Sequence, residues 1–427
     1  MRHLLPILLL IATPLKAADF RLLVGHGGPI MDAEISADGR YALTASFDNS
    51  VGYWTLGSDA VTWLDGHAAA VKTVIFLPPG RAASGGDDFA ITLWDLATGN
   101  DARLEGHKGQ VASLAVSPDG ATLASASWDG SVGLWSLPGG ENLAMMSGHG
   151  GVVNDVAFSA DGALLYSASA DGTIRVWDVA ARAESRQLVH HGFGVNRLLL
   201  GSGWLAYGGV DGGTRIIDPE TANEIADLTL DRRPILALAA APDGSEIAVG
   251  DGEGFVMTVS TETWAITGDY KAAAEGPVWA LAWTGDSASL LAGGIDDAAY
   301  VWPAHNELDA PIMATNRRSF LADPEAMSNG ERQFRRKCSI CHSLTDDGAR
   351  RAGPHLESLF GRAAGSVPGY TYSETVGALG FEWNEDTIDQ LFDLGPDHFI
   401  PGSKMPMQRI TRPEDRQDLI EFLKENT

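Results

Sequence analysis

Cys338, Cys341 and His342 form the run Cys338-Ser339-Ile340-Cys341-His342, two thiols separated by two residues with an imidazole directly after the second. Thiols at this spacing reach the two vinyl groups of one porphyrin and close two thioethers, and the adjacent histidine then lies against the iron; this is the attachment signature of c-type haem. The chain has only 2 cysteines, and one haem uses both. A structural zinc site needs four ligands and a second Cys/His cluster, which the sequence lacks, and a dithiol redox centre belongs in a βαβ context, which the flanking sequence does not resemble. Met405, in the run Ile400 to Met407, is the candidate sixth ligand. Met407 is its rival, and Pro401-Gly402 sets the turn that favours Met405. His355 and His398, as ligands of a bis-histidine iron, read more simply as loop residues. The expected cofactor is one covalent haem c with its iron, and the expected chemistry is electron transfer.

The first residues place that chemistry in a compartment. Arg2 is followed by an apolar run from Leu4 to Ala12 and by small residues at Ala17 and Ala18, which reads as a signal peptide over 1–17. The run is too short for a membrane span, so no membrane span is expected in the mature chain. Haem attachment to this motif takes place outside the cytoplasm in bacteria, and a periplasmic location is the matching expectation.

Most of the remaining length is repetition. Gly-His pairs occur at Gly25-His26, Gly66-His67, Gly106-His107 and Gly148-His149. Each precedes an alternating apolar segment, a turn, a small-residue strand, and an aspartate six residues before a tryptophan: Asp48/Trp54, Asp88/Trp94, Asp129/Trp135 and Asp171/Trp177. Three weaker units follow, with Asp211/Ile217, Glu253/Val259 and Asp296/Trp302 at the same positions. His190 and His191 stand where the fifth Gly-His pair has degenerated. The pattern resembles WD40 repeats, and the resemblance implies a seven-bladed propeller of four-stranded antiparallel blades in which the His/Ser/Asp/Trp set is structural. The segment from Asp19 to Val24 precedes the first complete unit, and the seventh unit stops at its third strand. The early segment is therefore expected to be the outer strand of the last blade, which removes an exposed edge.

After Trp302 the repeat ends. Residues 304–321 read as a polar, proline-containing linker. A helix is predicted to start at Asp323 and run into Cys338, with Asp323 as cap and Pro324 in the first turn. The stretch from there to the C-terminus resembles class I c-type cytochromes of the mitochondrial type. The resemblance rests on Gly330 and Phe334 before the haem motif, Arg351 to Glu374 after it, Phe381 to Phe392, Ile400 to Met405, and a final helix over Arg416 to Glu425. The whole is thus expected to be multi-domain: a signal peptide (1–17), an all-β propeller (18–303), a linker (304–321) and an all-α class I cytochrome c domain (322–427).

The resemblance implies roles residue by residue. Cys338 and Cys341 hold the haem, His342 is the proximal ligand with its second nitrogen on the Pro354 carbonyl, and Met405 is the distal ligand. Arg362, Tyr370, Tyr372, Ser373, Trp383 and Ser403 fall where the family surrounds the propionates. Gly330 lets the first helix cross the last against Phe422. One departure is Leu391, which stands where the family often has a tyrosine bonded to the methionine sulfur.

Charge is unevenly shared. Residues 1–316 carry 38 acidic and 16 basic side chains, and residues 317–427 carry 18 and 14. An acidic propeller repels nucleic acid and anionic lipid, whereas Arg332, Arg335, Arg336, Lys337, Arg350, Arg351, Lys404 and Arg409 cluster near the ligand loops. Two functions fit. One is an electron carrier whose propeller docks protein partners, with a cytochrome complex, oxidase or reductase as redox partner. The other is a redox enzyme whose propeller holds a substrate or second cofactor, as in haem d1 nitrite reductases and quinoprotein dehydrogenases. Those propellers typically have eight blades and lack the Gly-His and Trp-Asp pattern, and no nucleophile–base pair or metal cluster stands outside the haem motif. The carrier reading is preferred.

Overall fold

The computed structural model describes residues 21–58, 60–230, 234–305, 313, 327–401, 403–405 and 408–427. The expected signal peptide, most of the linker, Asp323 and Met407 lie outside the described residues. Seven four-stranded antiparallel sheets follow one another around a ring. Blade 1 runs through Ile30–Ile35, Tyr41–Ser46, Ser50–Thr55 and Val61–Asp65, and blade 2 through Val71–Leu77, Arg81–Gly86, Ile91–Asp95 and Asp101–Leu104. Blades 3, 4, 5 and 6 follow over 111–147, 153–190, 195–227 and 235–271. Blade 7 comprises Val278–Trp283, Ser289–Gly294, Ala298–Pro303 and the early strand Arg21–Val24, which pairs antiparallel with the last of these, Arg21 opposite Val301. The first and last strands of the propeller thus share one sheet, and the ring closes.

The blades pack by a repeated fit of small against branched residues. The second strand of each blade offers alanine or glycine where the inner strand of the next brings valine or isoleucine. A Cβ on Gly85 would lie 2.4 Å from Val111 Cγ1, and one on Gly293 would lie 2.6 Å from Ile30. The Gly293–Ile30 contact joins blade 7 to blade 1. Ala45 and Val71, Ala126 and Val153, and Ala168 and Val195 share clusters in the same way. The flat inter-blade surfaces therefore approach closely without voids, which dense apolar interiors require.

The Gly-His, Asp and Trp positions meet inside each of the first four blades. In blade 3, His107 Nδ1 lies 3.0 Å from Asp129 Oδ2, His107 Nε2 lies 2.7 Å from Ser125 Oγ, and the Trp135 indole N–H donates to the same Oγ at 2.8 Å. The donor directions follow from chemistry: the indole can only donate and the carboxylate can only accept, so protons run Trp to Ser to His to Asp. Blades 1, 2 and 4 repeat this with Thr44, Ser84 and Ser167. The later blades solve the same problem differently. Blade 5 has Tyr207 and Ile217 at the Ser and Trp positions, and Asp211 takes Arg215 at 2.9 Å. In blade 7 the Trp302 indole donates to the Tyr270 hydroxyl at 2.9 Å.

One described residue of the expected linker is fixed to the propeller. Met313 is 1% exposed, forms a parallel bridge with Ala273 and donates its N–H to the Ala272 carbonyl at 2.7 Å. An apolar residue of this segment thus packs on blade 6. Helices follow: α1 (Asn329–Lys337), α2 (Glu374–Gly377), α3 (Glu385–Leu394), α4 (Pro396–Phe399) and α5 (Pro413–Asn426). The described start of α1 corrects the sequence expectation. Ser328, not Asp323, caps it, accepting the Glu331 N–H at 3.2 Å, and Glu331 places negative charge at the helix start. Among the described residues no helix is long and apolar enough to cross a membrane.

Burial pushes His107 and His149 below their ordinary value of 6.5, against the opposing pull of Asp129 and Asp171. The folded blades hold both rings neutral. Below about pH 6.5 the unfolded chain takes up protons that the folded chain refuses, so stability that is full above that pH is lost as pH falls toward the folded values. Urea titrations of the propeller should therefore show a falling midpoint from about pH 7 to about pH 5. The double variant His107→Gln, His149→Gln should be less stable at high pH by roughly 2–4 kcal/mol and show a flatter decline. An equal decline in both proteins would contradict the assignment of that loss to these histidines.

Candidate haem site

The cytochrome-like domain is organised by the crossing of α1 and α5. A Cβ on Gly330 would lie 2.0 Å from the Asp418 carbonyl oxygen and 2.8 Å from Phe422 Cβ, so only glycine lets the backbones meet. Asn329 clasps the contact from the side, donating to Asp415 Oδ1 at 2.8 Å and Asp418 Oδ2 at 2.6 Å. Phe334 stacks one turn further on, its ring centroid 5.6 Å from that of Phe422.

The far end of α1 carries the haem motif. Cys338 caps the helix, and one further turn follows in which the N–H groups of Cys341 and His342 both reach the Cys338 carbonyl, at 3.0 and 2.8 Å. The two thiols are buried and unbridged. Burial pushes both up to about 12, with the neighbouring Cys341 adding to the effect at Cys338.

His342 is fixed by the loop behind it. Its Nδ1 lies 2.7 Å from the Pro354 carbonyl oxygen, so Nδ1–H donates and the Nε2 lone pair is left for a metal. Burial lowers its pKa, which keeps the ring in the neutral, ligating form. Gly353 backs the imidazole so closely that a Cβ there would stand 2.3 Å from His342 Cε1. The Gly353 N–H is tied to the Cys341 carbonyl at 2.8 Å.

A cavity of about 590 Å³ opens in front of these groups. Leu356, Leu359, Ile388, Leu391, Phe392 and Leu423 line it, and Met405 shares both the cavity and the apolar cluster. The Met405 N–H is held by Ser403 Oγ at 3.1 Å. Every residue named from the sequence as a haem neighbour lines this cavity: Cys338, Cys341, His342, Pro354, Arg362, Tyr370, Tyr372, Ser373, Trp383, Ser403 and Met405. Several do more than line it. Arg362 donates to the carbonyls of Glu357 and His355 at 2.7 and 3.0 Å, and the Tyr370 hydroxyl donates to the Ala352 carbonyl at 2.5 Å, so both brace the loop that carries Pro354. Leu391 offers no hydrogen bond to a methionine sulfur.

Sequence reasoning missed one wall. Phe47, Asn49, Ala68, Ala69, Ala70, Asp87 and Asp88 of blades 1 and 2 line the same cavity. Apart from Asp88, the repeated aspartate of blade 2, they occupy loop positions that vary between repeats, and the sequence pointed to this wall only through the far larger acidic excess of residues 1–316.

The donor set suits a porphyrin. Paired thiols, a neutral imidazole on a fixed carbonyl, a thioether and an apolar slot of ligand size occur together, and Gly353 and Pro354 form a cradle that a bulkier residue would fill. Comparison with known proteins agrees. The WD domain, G-beta repeat model matches residues 19–55, 58–95, 100–136 and 140–178, and the cytochrome c model matches residues 327–427. Cytochrome c of Gibberella zeae is 39% identical over 101 residues, which are 24% of this chain and 94% of that protein. Cytochrome c of Sesamum indicum is 39% identical over 106 residues, covering 25% and 95%, and that of Arabidopsis thaliana is 41% identical over 98, covering 23% and 87%. Fold and site together define a WD40 propeller joined to a haem-carrying electron-transfer module. Through its C-terminal residues the chain belongs to the cytochrome c family, and it carries one covalently attached haem c with its iron.

The α1–α5 crossing gives a direct test. Gly330→Ala should destabilise the matured cytochrome domain by about 1–3 kcal/mol, the usual cost of overpacking, measured by guanidinium denaturation. Gly377→Ala, where a Cβ meets nothing within 4 Å, should be close to neutral. Equal effects at the two sites would mean that the crossing does not depend on glycine.

Proposed function

We propose that the protein is an exported, periplasmic monohaem cytochrome that passes single electrons through a His342/Met405-ligated iron, and that its propeller docks protein partners. The parts assigned are a leader over 1–17, the propeller over 18–303, a linker over 304–321 and the cytochrome domain over 322–427. The observation that carries the reading is the meeting of Cys338, Cys341, His342 and Met405 on one apolar cavity. The bound group supplies a reversible one-electron change at iron. The chain supplies the rest. Pro354 and Gly353 hold the imidazole, Ser403 positions the Met405 loop, and the apolar walls exclude water, which together with a thioether ligand favours the reduced state. Redox partners of the cytochrome complex, oxidase or reductase kind fit the basic residues near the ligand loops. An acidic propeller gives no footing to nucleic acid.

Denaturation and acidic organic solvent should leave the haem on the chain, one per protein. Met405→Ala should abolish the weak sulfur-to-iron band of the ferric spectrum and lower the midpoint potential on the order of 0.1 V, within the span axial ligands command. Met407→Ala should do neither. If the band is lost with Met407→Ala and kept with Met405→Ala, the ligand assignment is wrong. If the haem is extracted intact, the covalent attachment is wrong.

A further inference from the structure

The cytochrome domain does not close its haem cavity alone. The remaining wall comes from one rim of the propeller: the loop with Phe47 and Asn49, the Ala68 to Ala70 passage from blade 1 to blade 2, and the loop with Asp87 and Asp88. In an antiparallel blade the loops after the second strand and after the outer strand lie on the same face, so these segments form one continuous surface. Lys337 and Lys404 line the cavity beside them.

The contact is specific. Arg350 forms an ion pair with Asp65, and its guanidinium sits 4.7 Å from the centre of the Trp63 ring. Trp63 is held edge-on against His26 at 4.7 Å, so this cation site is anchored in the internal network of blade 1. The Arg350 carbonyl oxygen rests on Gly27, where a Cβ would lie 1.4 Å away, and Asn49 Nδ2 reaches toward the Ala352 carbonyl at 3.5 Å. Lys404, one residue before Met405, lines one cleft together with Arg350 and Asp65. The charges are complementary: Arg350 and Lys404 on one side, Asp65, Asp87 and Asp88 on the other. The gripped segment, Arg350 to Pro354, is also the loop that holds His342.

From this geometry we infer that the propeller is the haem domain's own docking partner: the rim of blades 1 and 2 covers the haem-edge face, latched by Arg350 on Asp65 and Trp63, and a large redox partner reaches the haem only when the latch opens. The latch is of a kind that opens readily. One partly exposed ion pair with a cation–π contact contributes modestly and is screened by salt. The haem face is thus exposed by ionic strength or by a partner that competes for the acidic rim. The inference requires the haem to be present but does not depend on which methionine binds it or on the compartment.

The test uses the matured full chain and the variants Arg350→Glu, Asp65→Arg and the two combined, each first checked for an unaltered haem spectrum. Small-angle X-ray scattering reads the domain arrangement without reference to electron transfer. At low salt the wild type should give a radius of gyration close to that of one compact body, roughly 22 Å for this length. Either single charge reversal, or high salt, should raise it by several ångströms, and the exchanged pair should restore it. Electron access is read with methyl viologen radical, free or attached to a large dextran; each radical gives one electron to ferric haem, leaving the dication and ferrous haem. The free mediator should reduce all proteins alike. The dextran-bound mediator should reduce the single variants at least tenfold faster than the wild type or the exchanged pair at low salt. Asp65→Asn serves if a reversal fails to fold and should give an intermediate rate. A radius and a dextran-bound rate that do not differ between wild type and single variants would overturn the proposal. So would failure of the exchanged pair to recover both.

Discussion

Two thioethers bind a porphyrin to a single turn of chain, so the direction in which α1 ends decides where every other haem contact must be. In this protein that direction is set by backbone contact between α1 and α5 at Gly330, where no side chain fits between the two helices. Once α1 is fixed, Cys338 at its cap and Cys341 in the turn beyond face the cavity, and His342 reaches back to the Pro354 carbonyl. The loop that presents this carbonyl is in turn braced by Arg362 and Tyr370 through their bonds to the backbone of His355, Glu357 and Ala352. The polar groups expected around the haem thus serve first to hold the proximal loop in shape.

The propeller reaches rigidity by a different route. A buried chain of hydrogen bonds from indole to hydroxyl to imidazole to carboxylate ties two strands and two loops of a blade together, and four blades share it. Each member has a partner, which is the condition for a buried polar network to stabilise at all. Where blades 5 and 7 lose a member they recruit another residue, Arg215 for Asp211 and Tyr270 for Trp302. The loops after the second and outer strands lie on one face of this frame. The same face that is held by His26 and Trp63 meets Arg350 of the cytochrome domain.

Much of this was legible in the chain. The Asp and Trp six residues apart, repeated with drift, counted seven blades although only four repeats match the family model. The short apolar segment before the first Gly-His pair marked the closing strand, because an orphan strand at one end and a missing one at the other must pair. The haem cavity was legible because its residues follow each other in fixed order along about a hundred positions. The start of α1 was misread because Asp323-Pro324 and Ser328 are both good caps in isolation. What distinguishes them is contact with α5, where Asn329 meets Asp415 and Asp418, and that contact spans nearly ninety residues. The seat of Met313 within the polar linker carries no sequence signal, since its partners Ala272 and Ala273 have no pattern of their own. The propeller wall of the cavity was unreadable for the same reason. Phe47, Asn49 and Asp87 are loop positions at which the repeats differ, and only the folded arrangement brings them to the haem domain.

We propose that the single haem is the group through which this chain exchanges electrons, one at a time. A potentiometric titration of the matured full-length protein followed by optical absorption tests it most directly. The account predicts a single one-electron wave with a clearly positive midpoint, in which all absorbance change belongs to one haem per chain. A second wave, a two-electron step or a chromophore that titrates apart from the haem would contradict it and assign to the propeller a cofactor chemistry of its own.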